Sequence, residues 1–132
     1  MTTQRITAIK AMQAKIRLQR TASTADVIDL IQRRTGLNES EVRMSTYEVR
    51  DAILFFAQQG KPTKIEDLGT FTPVLRSDDQ IHLNFRPDVG IKTALNRQDA
   101  FNGTIDNKAH RGMSADELVA LWNRAHPDDP VE

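Results

Sequence analysis

Cysteine is absent from this 132-residue chain, which excludes disulfides and cysteine-ligated zinc. No apolar run approaches the length needed to cross a bilayer, and the opening "MTTQRITAIK" lacks the apolar core of a signal peptide. Both absences lead us to expect a cytoplasmic protein. Neither internal repeats nor low-complexity segments occur. The three histidines, His82, His110 and His126, have no metal-ligand spacing between them. No nucleophile stands with a base and an orienting acid, so no catalytic residue, metal, cofactor or small-molecule substrate is expected. Asp78, Asp79 and His82 lie close together, but the two acids serve first as turn formers.

Net charge is also absent, with 18 cations against 18 acids. That balance argues against strong non-specific DNA binding, which needs several phosphate-neutralising cations. The distribution is nevertheless uneven. Before Asp26 the chain carries Arg5, Lys10, Lys15, Arg17 and Arg20 and no acid at all. From Phe101 onward Asp106, Asp116, Glu117, Asp128, Asp129 and Glu132 outnumber Lys108, Arg111 and Arg124. A basic head and an acidic tail can bind an anion or each other.

What is present is a chain long enough for one compact domain, or for a small domain with appendages, with 39% apolar residues. The stretch "ITAIKAMQAKIRLQR" has strand-like alternation at residues 14–18 and helix-compatible alanines before it. An edge strand near Met12 to Leu18 is the preferred reading. "STADVIDLIQRRTG" predicts a short helix, capped by Ser23 or Thr24 and ended by Gly36. Its Arg33 and Arg34 sit where the helix dipole favours cations.

"LNESEVRMSTYEVRDAILFFAQQGKP" predicts a longer helix. Asn38 and Glu41 form a capping-box pattern, Leu37 can staple against Val42, and Gly60 with Pro62 supplies the stop. Val42, Val49, Ile53 and Phe56 recur at helical spacing. Leu54 and Phe55 widen the apolar face beyond one short helix partner, so the excess is expected to be buried by a sheet or a second subunit. Strands are predicted at residues 63–65, 70–75 and 81–86, with Ser77 to Gln80 turning the last two into a hairpin. A short helix follows from Pro87 or Asp88 to about Asn96, then irregular chain. A last helix over 115–125 opens on the Ser114–Glu117 capping pattern, with Leu118, Leu121 and Trp122 on one face.

The order helix, longer helix, kinked strand pair, third strand and short helix resembles the HU/IHF family of bacterial nucleoid DNA-binding proteins. The matching stretches are "ADVIDLIQRRTGLNESEV", "FFAQQGKPTKIEDLGTFTP" and "IKTALN", over roughly Thr24 to Asn96. The most specific piece is the run Gly60-Lys61-x-x-Lys64-Ile65-x-x-Leu68-Gly69-Thr70-Phe71. The tail "ELVALWNRAHPDDP" resembles an HU-like subgroup with extra terminal segments.

The resemblance implies an α+β fold of two helices, a three-stranded antiparallel sheet and short helices, here with a possible extra N-terminal strand. It implies a homodimer whose sheets form a saddle on duplex DNA at the nucleoid. In the family two long basic β-arms wedge a proline between base steps. Between Leu75 and Ile81 this chain has only "RSDDQ", so the arm and its wedge are missing. The division expected is a basic segment 1–23, an HU-like domain 24–96 and an extension 97–132.

The residues carried over as DNA contacts are Lys61, Lys64, Gly69, Thr70, Arg76, Arg86 and Lys92. Lys15 and Arg17 of the basic head join them as substitutes for the lost arms. Cations of this kind position a protein on phosphates without reading sequence. Phe55, Phe56, Phe71 and Phe85 are expected in the core and dimer interface, and Trp122 as the anchor of the last helix. Two functions stay open. One is weak, sequence-independent DNA binding. The other is a structural or assembly protein that keeps the fold, has lost DNA binding and associates with another protein or with itself. A monomer whose terminal segments cover the family's dimer surface is a third possibility.

Overall fold

A computed structural model describes residues 3–132 of the chain, so Met1 and Thr2 of the basic head lie outside the described residues. Among the described residues the architecture is α+β: five helices, two small antiparallel sheets and one 3-10 turn at Lys108–His110. Two compact units divide the chain. Unit 1 joins Met1–Gln19 to Asn102–Glu132, and unit 2 is the continuous stretch Arg20–Phe101.

Unit 1 holds α1 (Arg5–Met12), β1 (Lys15–Ile16), β5 (Ile105–Asp106) and α5 (Ala115–Ala125). The edge strand expected at Met12–Leu18 is corrected: only two residues pair, and the residues before them are helical. The apolar residues of α1 do not gather on one stripe, so helical periodicity gives no signal there. Its one buried residue, Ala8, packs with Val119 and Val131, flanked by Ile9 and Trp122. Ser114 caps α5 by accepting the Glu117 N–H at 3.2 Å. The returning tail is held by side chains. Asn123 exchanges two hydrogen bonds with the Val131 backbone, at 2.7 and 2.9 Å, and the Trp122 indole donates to the Asp129 carbonyl at 2.9 Å. Trp122 therefore anchors α5 to α1 and to the tail.

In unit 2, α2 (Thr24–Thr35) and α3 (Glu39–Ala57) both start on reciprocal capping boxes. Ser23 pairs with Asp26 and Asn38 with Glu41, satisfying N–H groups that a helix start leaves unpartnered. α3 stops at a Schellman turn: the Lys61 N–H reaches the Phe56 carbonyl and the Gly60 N–H reaches that of Ala57. Gly60 takes the left-handed conformation this needs, at φ 75°.

β2 (Thr63–Ile65), β3 (Gly69–Leu75) and β4 (Ile81–Pro87) make a three-stranded antiparallel sheet in that order, followed by α4 (Val89–Leu95). The β2–β3 turn places Asp67 at φ 64°, and its Leu68 N–H donates to the Ile65 carbonyl. The β3–β4 turn is Ser77-Asp78-Asp79, with Asp79 left-handed at φ 60° and the Asp78 carboxylate accepting the Gln80 N–H. Aspartates tolerate such backbone and bond to it locally.

Unit 2 buries little. Only Ile28, Val42 and Ile53 among its hydrophobic residues are buried. Leu54, Phe55, Leu83 and Phe85 stay exposed, with Phe55 at 58%.

Candidate nucleic-acid interface

Successive residues of a strand point to opposite sides, so the register sorts the sheet into two faces. Lys64 lies opposite Thr70, and Thr70 opposite Arg86, in one row across all three strands. Two residues along, Thr72 faces Asn84 on the same side. The Arg76 guanidinium folds back to donate to Asn84 Oδ1 at 2.8 Å. Lys64, Thr70, Thr72, Asn84, Arg86 and Arg76 therefore share one polar face.

The opposite face is largely apolar, with Thr63 beside Phe71 as its polar residue on β2. Phe71 stacks on Phe85 with ring centroids 4.7 Å apart, Pro73 faces Leu83, and Leu75 faces Ile81. Leu75 and Ile81, at the end of the hairpin, are 71% and 78% exposed. An apolar groove of about 330 Å³ also opens between α2 and α3, lined by Ile31, Leu37, Val42 and Val49 among others.

Gly69 belongs to the apolar side. A Cβ placed on it would lie 2.5 Å from the Phe85 ring and 2.4 Å from the Arg86 carbonyl oxygen. Its glycine identity thus has a packing cause: the Phe85 ring lies where a side chain would stand. Thr70, the next residue, is what the bend delivers to the polar face.

Lys61 is exposed in the turn after α3, and Lys92 is exposed on α4. No salt bridge among the described residues engages Lys61, Lys64, Arg76, Arg86 or Lys92. Acids flank the row at both ends, Glu66 and Asp67 in one turn and Asp78 and Asp79 in the other. Over residues 61–87 four cations meet four acids. At the hairpin tip His82 Nε2 lies 2.9 Å from the Asp78 carboxylate. Chiefly that hydrogen bond, and then the Gln80 N–H, holds Asp78 below its ordinary pKa.

Lys15 and Arg17 belong to unit 1, and the sheet row to unit 2. The Arg17 Nε and Nη2 donate to Asp106 Oδ1 at 2.9 and 2.5 Å, which raises the guanidinium pKa above its usual value. The basic head thus meets the acidic tail within unit 1, and sequence reasoning left their pairing open because neither strand partner is near the other in the chain. Asn84, which orients Arg76, was also missed; its alternation with Leu83 and Phe85 was the available signal. Among the described residues no cluster of three or more histidines and acids is placed to hold a metal ion, and no helix is long and apolar enough to cross a membrane.

No protein-family model matches the chain, and no curated protein sequence matches it.

Proposed function

We propose that this chain is an HU/IHF-like DNA-binding protein that acts as a homodimer at the nucleoid and binds duplex DNA weakly and without sequence preference. The observation that carries the reading is the Lys64–Thr70–Arg86 row on a polar sheet face whose reverse is largely apolar and, at Leu75, Ile81, Leu83 and Phe85, exposed. The row offers two unpaired cations and a hydroxyl to a phosphate backbone, the contact type that positions a protein without reading bases. The exposed part of that reverse, together with the exposed Phe55 of α3 in the same unit, supports a second copy as its cover. Two copies would double the cation row.

Weak binding follows from the charge balance. Binding strength scales with the number of phosphates neutralised, and four acids offset the four cations of this sheet. With the arm reduced to three turn residues, the reading includes no base-step wedge.

A second reading has its own support. The tip carries Asp78 and Asp79 with exposed Leu75 and Ile81 behind them, a surface suited to protein and repellent to phosphate. In that version the chain is an assembly protein that has lost DNA binding. A mobility shift on duplex DNA at low and moderate salt separates the two. Binding that weakens steeply with salt supports the first, and loss of that binding in Lys64→Ala/Arg86→Ala assigns it to the sheet. No shift at low salt leaves the assembly reading.

A further inference from the structure

Unit 1 sorts its charges along α1. At the start of the helix Arg5 donates to Asp116 Oδ1 at 2.5 Å and to the Glu132 carbonyl at 2.6 Å, and Thr3 holds the Asp129 carboxylate. Asp116 and Asp129 lie at this end, and Arg5 is engaged there.

The other end of α1 is different. Its last carbonyls are capped from the far end of the chain: Asn107 Nδ2 donates to Ala11 and Gln13 at 3.0 and 3.1 Å, and His110 Nδ1 donates to Met12 at 2.5 Å. Lys15 pairs in register with Asp106, and the Arg17 N–H reaches the Thr104 carbonyl at 2.8 Å. These bonds bring the segment 11–17 against 104–110, so residues 10–17 and 104–111 form one end of unit 1. It carries Lys10, Lys15, Arg17, Lys108 and Arg111, all exposed, and a single acid, Asp106, already engaged by Arg17. No salt bridge among the described residues engages the other four cations.

We propose that this basic end of unit 1 is a second phosphate-binding surface for duplex nucleic acid. The proposal rests on the nucleic-acid reading above but uses none of the sheet residues. Three features favour an evenly charged polyanion over a folded acidic protein. The Ala11, Met12, Gln13 and Thr104 carbonyls at this end are already engaged within the unit, while four of its five cations have no ion-pair partner among the described residues. The cations sit on long flexible stems, which suit phosphates spaced along a backbone. The exposed Ile16 pairs with Ile105 on the opposite face of the ribbon from Lys15, Asp106 and Arg17, leaving no apolar anchor among the cations.

The test uses the full chain and a short fluorescent duplex, titrated over a range of salt. Lys10→Gln/Lys15→Gln/Lys108→Gln/Arg111→Gln, all exposed positions, is compared with Lys64→Ala/Arg86→Ala, each checked for an unchanged melting curve. The fourfold variant is expected to weaken binding tenfold or more, with a salt slope shallower by up to about 3.5, since each lost phosphate contact removes about 0.9. Asp106→Asn frees Arg17 and is expected to strengthen binding and steepen the slope by up to about 0.9. If the fourfold variant keeps parental affinity and slope while the sheet variant loses binding, this proposal falls and the earlier reading stands. The reverse result keeps this surface and removes the sheet. Polyglutamate that displaces the duplex at equal charge concentration overturns the choice of nucleic acid.

Discussion

Replacing Gly69 by alanine is the most direct probe of how unit 2 is held together. The added methyl would lie 2.4 Å from the Arg86 carbonyl oxygen and 2.5 Å from the Phe85 ring, at φ 155°. The carbonyl belongs to a paired strand, and the ring is stacked on Phe71, so neither can withdraw freely. Overpacking of this kind costs about 1–3 kcal/mol, and backbone held in a region L-residues avoid costs about 1–3 more. We expect about 3 kcal/mol in all, a large share of the 5–15 kcal/mol that ordinarily holds a domain. For a unit of this size that corresponds to a melting-temperature drop of roughly 15 °C, at roughly 4–8 °C per kcal/mol.

Urea unfolding followed by circular dichroism at fixed protein concentration measures it. Gly60→Ala is the control, because Gly60 is left-handed with no atom within 4 Å of the added methyl and incurs only the conformational cost, about 1 kcal/mol. Adding Phe85→Ala to Gly69→Ala should recover part of the loss, read as coupling in a double-mutant cycle. A Gly69→Ala protein within about 0.5 kcal/mol of the parent, inside the usual range of inconsequential surface changes, refutes the close approach.

Asp129 has its pKa lowered chiefly by the Thr3 hydroxyl and then by the Thr3 N–H. A depressed carboxylate contributes stability above its ordinary pKa and loses it as pH falls through the lowered one. Trp122 fluorescence should therefore report weakening of unit 1 below about pH 4, and Asp129→Asn should flatten that dependence. Asn38→Ala, which removes the α3 cap, should cost about 1 kcal/mol in urea unfolding; an unchanged midpoint contradicts the capping box. Phe55→Asp should shift sedimentation toward the monomer, and a parent that sediments as a monomer at submillimolar concentration removes the proposed self-association.

Local rules were readable where the chain solves its own hydrogen-bonding problem. Asn38 and Ser114 could be placed as caps, and Ser23 as one of two candidates with Thr24, because a helix start leaves N–H groups that only a few side chains can satisfy within three residues. The strands around Gly69 were legible from alternation, and so was the cation row, once a register is assumed. α1 was not, because its burial rests on Ala8 alone and its partners lie in residues 105–131. The same distance hid the Arg17–Asp106 and Arg5–Asp116 pairs. Period and propensity describe neighbours in sequence, whereas these contacts exist only after the ends of the chain have met.

That meeting sets an order of events during synthesis. Unit 2 is complete when Phe101 has been made, yet unit 1 needs residues 102–132 as well as 1–19. The basic head must therefore wait, unstructured and unneutralised, while the whole of unit 2 is built, and only the arrival of Asp106, Asp116 and Val131 closes it. A chain interrupted after Phe101 would leave unit 2 carrying a permanently open cationic tail. It would lack Lys108 and Arg111 and the strand pairing that holds Lys15 and Arg17, and so the assembled basic surface of unit 1.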